Sequence, residues 1–179
     1  MIIKSFLIKK TIDEARREAT RGILPRLIMG KKLDEVVMRT IYIENRIITF
    51  DITPHPSFIS RLLRRGDKLK NSMIEMIANG STCGVAYYDR RGVEIAEADV
   101  DEDCIQKSDF SDDDFIVRGN ALARRILRRR VGGNMTLEVK GIESIYRPYH
   151  VAFFGIPAEG SKVRYVPIAA DGCSVKRTF

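Results

Sequence analysis

The residues of this chain best equipped for chemistry are two histidines and three cysteines, and their neighbours decide what each can do. His150 follows Tyr146-Arg147-Pro148-Tyr149, and its neutral ring is a candidate base. With no nucleophile or acid close in sequence, it reads instead as a hydrogen-bonded strand histidine. His55, between Pro54 and Pro56, reads as a stiff residue closing a strand, because a following proline disfavours helical backbone. Cys83 lies between Thr82 and Gly84 with no histidine nearby to lower its pKa, as a thiol nucleophile requires. Cys83, Cys104 and Cys173 are odd in number, widely spaced and without a C-x-x-C pair, so reduced, structural cysteines are expected and no metal or cofactor is. Asp99, Asp101 and Asp103 imitate the opening of a calcium loop, but the positions that need Gly and Glu hold Cys104 and Phe110. Gly132-Gly133-Asn134 follows a helical pattern, where it stops a helix, whereas a phosphate loop precedes one.

Charge is the stronger signal. The formal net charge is +7, yet residues 94–114 hold ten acids and one lysine, and the rest of the chain carries 30 basic against 14 acidic residues. The arginines concentrate in Arg61-Leu-Leu-Arg64-Arg65 and in Arg124-Arg125-Ile-Leu-Arg128-Arg129-Arg130. Both runs are amphipathic, so Arg61, Arg64, Arg65, Arg124, Arg128 and Arg129 form candidate phosphate-binding faces. The alternative is a solvated helix face, with late arginines suiting a helix C-terminus. There is no zinc-finger spacing, no RNP-like motif and no Trp; Tyr87, Tyr88, Tyr146, Tyr149, Phe153 and Phe154 are the available stacking surfaces. Consecutive strand residues point to opposite faces, so one of each adjacent aromatic pair is expected in the core.

Two similar sets of elements carry these residues. Thr40-Ile41-Tyr42, then Ile47, Phe50 and Ile52, is answered 104 positions later by Ser144-Ile145-Tyr146, then Val151, Phe154 and Ile156. Upstream, Ile2-Ile3-Lys4-Ser5 answers to Ile105-Gln106-Lys107-Ser108, and Thr11 with Glu14 and Ser111 with Asp114 have capping-box spacing. Ile23/Ile126, Leu24/Leu127, Arg26/Arg129 and Ile28/Val131 fall in register before Gly30 and Gly133. Downstream, Asp89 to Gly92 and Asp171-Gly172 are turn signals inside strand-like runs. The expected fold is α+β: a tandem duplication of a helix packed on its own antiparallel sheet of about four strands. The copies span residues 1–100 and 104–179, with an acidic linker at 94–114. An extra helical insertion over 57–79 in the first copy is marked by Phe58, Ile59, Leu62, Leu63, Leu69, Met73, Met76 and Ile77. Pro25 should end or kink the first helix.

Over residues 164–175 the pattern Arg164-Tyr165-Val166, Asp171-Gly172, Val175 resembles the small helix-over-sheet modules of the cystatin-like and PepSY type, and it carries no functional residue over. A chain of 179 residues, 44% hydrophobic, can build a core unaided. The N-terminus lacks a signal-peptide pattern and no run approaches a membrane span, so a cytoplasmic protein is expected. The resulting expectation is a noncatalytic binding or adaptor protein with a protein or polyanion partner. Nucleic-acid binding through the arginine faces is the alternative, and an enzyme whose site is assembled from distant residues is the second.

Overall fold

The computed structural model describes residues 1–21, 36–55, 72–130, 134–155 and 163–172. Its elements are β1 (Ile2–Phe6), α1 (Ile12–Arg21), β2 (Val36–His55), β3 (Ser72–Asn79), β4 (Val85–Tyr87), β5 (Ile95–Asp99), a 3-10 turn (Glu102–Cys104), β6 (Ile105–Gln106), α2 (Asp112–Arg130), β7 (Asn134–Phe154) and β8 (Arg164–Ala169). The fold is α+β, with an open mixed sheet of eight strands in the order β4-β3-β2-β7-β1-β5, β6 beside β2 and β8 beside β7. It departs from the expected pair of four-stranded antiparallel sheets. β2 and β7 are 20 and 21 residues long, and the contacts β1 with β7 and β2 with β6 are parallel.

The chain forms two compact units, each drawing on both halves of the sequence. The first comprises Met1–Ile43, Glu94–Gln106 and Tyr146–Val175. There β1 pairs antiparallel with β5 from Ile2↔Asp99 to Phe6↔Ile95, and β8 pairs antiparallel with β7 from Tyr149↔Ala169 to Phe154↔Arg164. Ala15 and Ala19 of α1 pack on Ala152 and Ile168, flanked by Val36, Met38, Phe154 and Val166. Two alanines one helical turn apart let the helix backbone approach the sheet closely. A buried ion pair, Arg147 Nε to Asp171 Oδ2 at 2.7 Å, closes the end of this unit.

Over the described residues, the second unit comprises 44–55, 72–93, 107–130 and 134–145. β3 pairs antiparallel with β2 from Asn45↔Asn79 to Ile52↔Ser72, and β4 pairs antiparallel with β3. Phe115, Ala123 and Leu127 of α2 pack on Ile48, Phe50, Ile74, Met76, Met135 and Leu137. Phe50 and Phe115 are fully buried, each contributing about 1.5–3 kcal/mol by transfer from water. Gly80 permits the turn after β3 to close on β2: a Cβ there would lie 2.0 Å from the Glu44 carbonyl oxygen, to which the Gly80 N–H donates.

Several expectations are corrected. Residues 72–79, placed in the helical insertion, form β3; Ile74, Met76 and Ala78 are buried while Met73 is exposed, an alternation of period two that overrides the helix-like spacing. Neither helix lies simply on its own half's strands: α1 covers β8 and the end of β7, and α2 covers β3 and β4. The strands flanking the Asp89–Gly92 turn do not pair with each other, since β4 joins β3 and β5 joins β1. The turn itself is as expected, with Gly92 at φ 80 and the Arg91 N–H donating to Asp89 Oδ1. The 94–114 stretch contains β5, the 3-10 turn, β6 and the first turn of α2. The remaining insertion (57–71), the Pro25 kink, the pairs at Ile23, Leu24, Arg26 and Ile28, the glycine stops at Gly30 and Gly133, Cys173 and the strand at Val175 lie outside the described residues.

Candidate functional site

α2 is built as a charge gradient. Ser111 and Asp114 form the capping box: the Asp114 N–H donates to Ser111 Oγ at 3.3 Å, while Ser111 N–H and Oγ–H donate to Asp114 Oδ2. The Ser111 hydroxyl and backbone N–H hold the Asp114 carboxyl below its ordinary range. Asp112, Asp113 and Asp114 occupy the first turn and complement the positive helix end. Phe115, Gly119, Ala123 and Leu127 recur every fourth residue and form the buried stripe.

The last two turns expose Arg124, Arg125, Arg128, Arg129 and Arg130. Arg124 is braced by Asn120 Oδ1 at 2.6 Å and by the Met135 carbonyl at 3.4 Å. Arg124/Arg128 and Arg125/Arg129 are four apart and repel across neighbouring turns. Among the described residues, none of the five makes an ion pair with a carboxylate. At 1.5 Å per residue, about 15 Å of helix separates this cluster from the acidic first turn, roughly two Debye lengths at physiological salt. The helix's own acids therefore do not neutralise it.

Arg130 lies seven residues after Ala123, on the core-facing side, and this brings its guanidinium over the Tyr87 ring, 5.3 Å from the centroid. The register Met76↔Tyr87 places Tyr87 on the same sheet face as buried Met76. Tyr87, at the sheet edge, is 39% exposed, whereas Tyr88, which follows the end of β4, is buried. Tyr87 also borders an open groove of about 760 Å³ lined by Met73, Glu75, Arg90, Arg91 and Lys140. Its charges are paired, Arg90 with Glu75, Arg91 with Asp89 and Lys140 with Asp51. In the first unit, a groove of about 480 Å³ lined by Lys9, Lys10, Glu14, Arg17, Glu18 and Arg21 is likewise mixed in sign.

The reactive residues singled out in the sequence are engaged in structure. His150 is buried; Nε2 donates to the Lys10 carbonyl at 2.8 Å, which leaves Nδ1 to accept from Thr40 Oγ1 at 3.0 Å. His55 ends β2 and meets Thr136 Oγ1 at 2.7 Å. Cys83 is buried, its thiol pushed up by burial with Arg118 opposing, the reverse of nucleophile activation. Cys104 is raised by burial and by Asp103. Asp99 pairs with the Met1 ammonium, and no group of three or more His, Cys, Asp or Glu is placed to hold a metal among the described residues. Of the candidate arginines, Arg124, Arg128 and Arg129 share α2, whereas Arg61, Arg64 and Arg65 lie outside the described residues. Sequence reasoning did not pair Arg130 with Tyr87; the strand pattern could flag Tyr87 but not its distant helix neighbour. No helix among the described residues is long and apolar enough to cross a membrane. Compared with protein-family models, curated proteins and solved structures, the chain matches none.

Proposed function

We propose that the chain is a noncatalytic binding protein whose ligand is a polyanion, held by the arginine-rich end of α2. The observation that carries this reading is the exposure of Arg124, Arg125, Arg128, Arg129 and Arg130 over two helical turns with no carboxylate partner among the described residues. Like charges at such density oppose folding, and a bound polyanion relieves that repulsion while releasing its own counterions. The tandem duplication belongs with the same proposal. The matching capping boxes of α1 and α2, and a helix over the ends of β2 and β7 in each unit, support descent from one repeated module.

A salt titration tests the function. Five phosphate contacts give a log–log slope of about −3.5 on a single strand, hence roughly a hundredfold loss of affinity for a polyanion between 50 and 200 mM salt. Replacing Arg124, Arg128 and Arg129 with glutamine should flatten that slope by more than half and leave the circular dichroism spectrum unchanged. No binding of polyphosphate or nucleic acid at 50 mM salt would remove the polyanion reading and leave a protein partner as the occupant of this face.

A further inference from the structure

Resting on that polyanion reading, we propose that the ligand is a single-stranded nucleic acid, with an unpaired base stacked on Tyr87 while the α2 arginines hold the flanking phosphates. The placement of Tyr87 beside Arg130, the last arginine of the run, distinguishes a nucleic acid from polyanions without bases. Its ring belongs to β4, the last strand in the sheet order, where no further strand pairs beyond it among the described residues. Arg130 rests over the ring at 5.3 Å from the centroid, and the residue nevertheless stays 39% exposed. A guanidinium over an aromatic ring beside further arginines joins a stacking surface to a phosphate-binding one, the combination that sequence-tolerant single-strand binding uses.

Two further features favour one strand over two. Bases in a duplex are stacked on one another and unavailable to a single protein ring, whereas an unpaired base can be splayed onto it. The Arg124/Arg128 and Arg125/Arg129 spacings set two guanidinium pairs on adjoining turns, within reach of successive phosphates of one backbone. Arg90 and Arg91 line the groove that Tyr87 borders. Their pairs with Glu75 and Asp89 are solvent-exposed on the arginine side, so a phosphate can compete for them at little cost.

The absence of tryptophan from the sequence gives a direct probe. Tyr87→Trp places one tryptophan at the proposed stacking position, and its emission should be quenched on addition of oligothymidylate or oligouridylate and unchanged by inorganic polyphosphate. In parallel, Tyr87→Ala should weaken oligonucleotide binding roughly tenfold, the effect of removing one base–aromatic stack. It should leave polyphosphate binding unaltered, and Tyr87→Phe, which keeps the ring, should retain oligonucleotide affinity. An unchanged thermal midpoint in Tyr87→Ala separates loss of stacking from loss of fold. Equal loss of both ligands in Tyr87→Ala, an unquenched Tyr87→Trp that still binds, or preference for a duplex of equal length would overturn the single-strand assignment and leave the polyanion reading standing. Failure of the unmodified protein to bind oligonucleotide or polyphosphate at low salt would overturn both.

Discussion

Glu44 and Arg46 are joined to three elements by a polar network, and neither stands out in the sequence. Arg46 Nε donates to Asp112 Oδ1 at 2.8 Å, and its Nη1 donates to Glu44 and to the Ser144 hydroxyl. Glu44 Oε2 accepts from the Ser108 N–H at 3.0 Å, and Oε1 accepts from Ser144 Oγ at 3.0 Å. The network ties β2, β7 and the start of α2 within the second unit. Burial pushes the Glu44 carboxyl up, but Arg46, the Ser108 N–H and Ser144 together outweigh it and hold the group below its ordinary value of 4.5. The unfolded chain therefore takes up this proton at higher pH than the folded one. The contribution to stability is complete above about 4.5 and is lost as pH falls through the lower folded value. Glu44→Gln should lower stability at neutral pH and flatten the decline between pH 5 and 3, read from urea midpoints across that range; a parallel decline in both proteins would show that Glu44 is not a source of it.

Among the elements, helix starts were the most legible feature. A hydroxyl followed three residues later by an acid satisfies two orphan N–H groups reciprocally, so Thr11/Glu14 and Ser111/Asp114 could be read from spacing alone. Ser111→Ala should cost about 1 kcal/mol, within the range of measured N-cap losses. Ser111→Asn should recover most of it, since its side-chain oxygen can accept from the same N–H. Chemical denaturation of the three proteins checks this; equal stability of Ser111→Ala and the parent would mean that the cap is idle. β3 shows where local reading failed. Met73, Met76 and Ile77 sit at helix-like spacing, yet pairing with β2 from Asn45↔Asn79 onward decides the conformation, and pairing to a strand some twenty residues away is invisible in a local window. The same limit hid Arg130 from Tyr87. The arginine run on α2 was legible because the buried stripe of Phe115, Ala123 and Leu127 fixes which face points outward.

At the level of the whole molecule, capping signals and apolar periodicity sufficed for the α+β class, while the partners of each helix depended on contacts between distant parts of the chain. Ala15 and Ala19 near the N-terminus need Ala152 and Ile168 beneath them, and Phe115, Ala123 and Leu127 need Ile48, Phe50 and Met76. A cut after residue 100, following β5, consequently removes part of the core from both units at once. Residues 1–100 keep α1 but lose β7 and β8; residues 101–179 keep α2 but lose β3 and β4. An isolated helix as short as α1 is marginal in water, and strands deprived of their covering helix or of a neighbouring strand gain too little burial to offset their ordering entropy. Each fragment alone should therefore lack a cooperative thermal transition. An equimolar mixture should regain one, with a midpoint that rises with protein concentration because the joined state is bimolecular. Calorimetry and analytical ultracentrifugation of the separate and mixed fragments measure this. Cooperative folding of residues 1–100 alone would show that α1 can find sufficient cover on the strands of its own half, and would overturn the mutual dependence argued from the two cores.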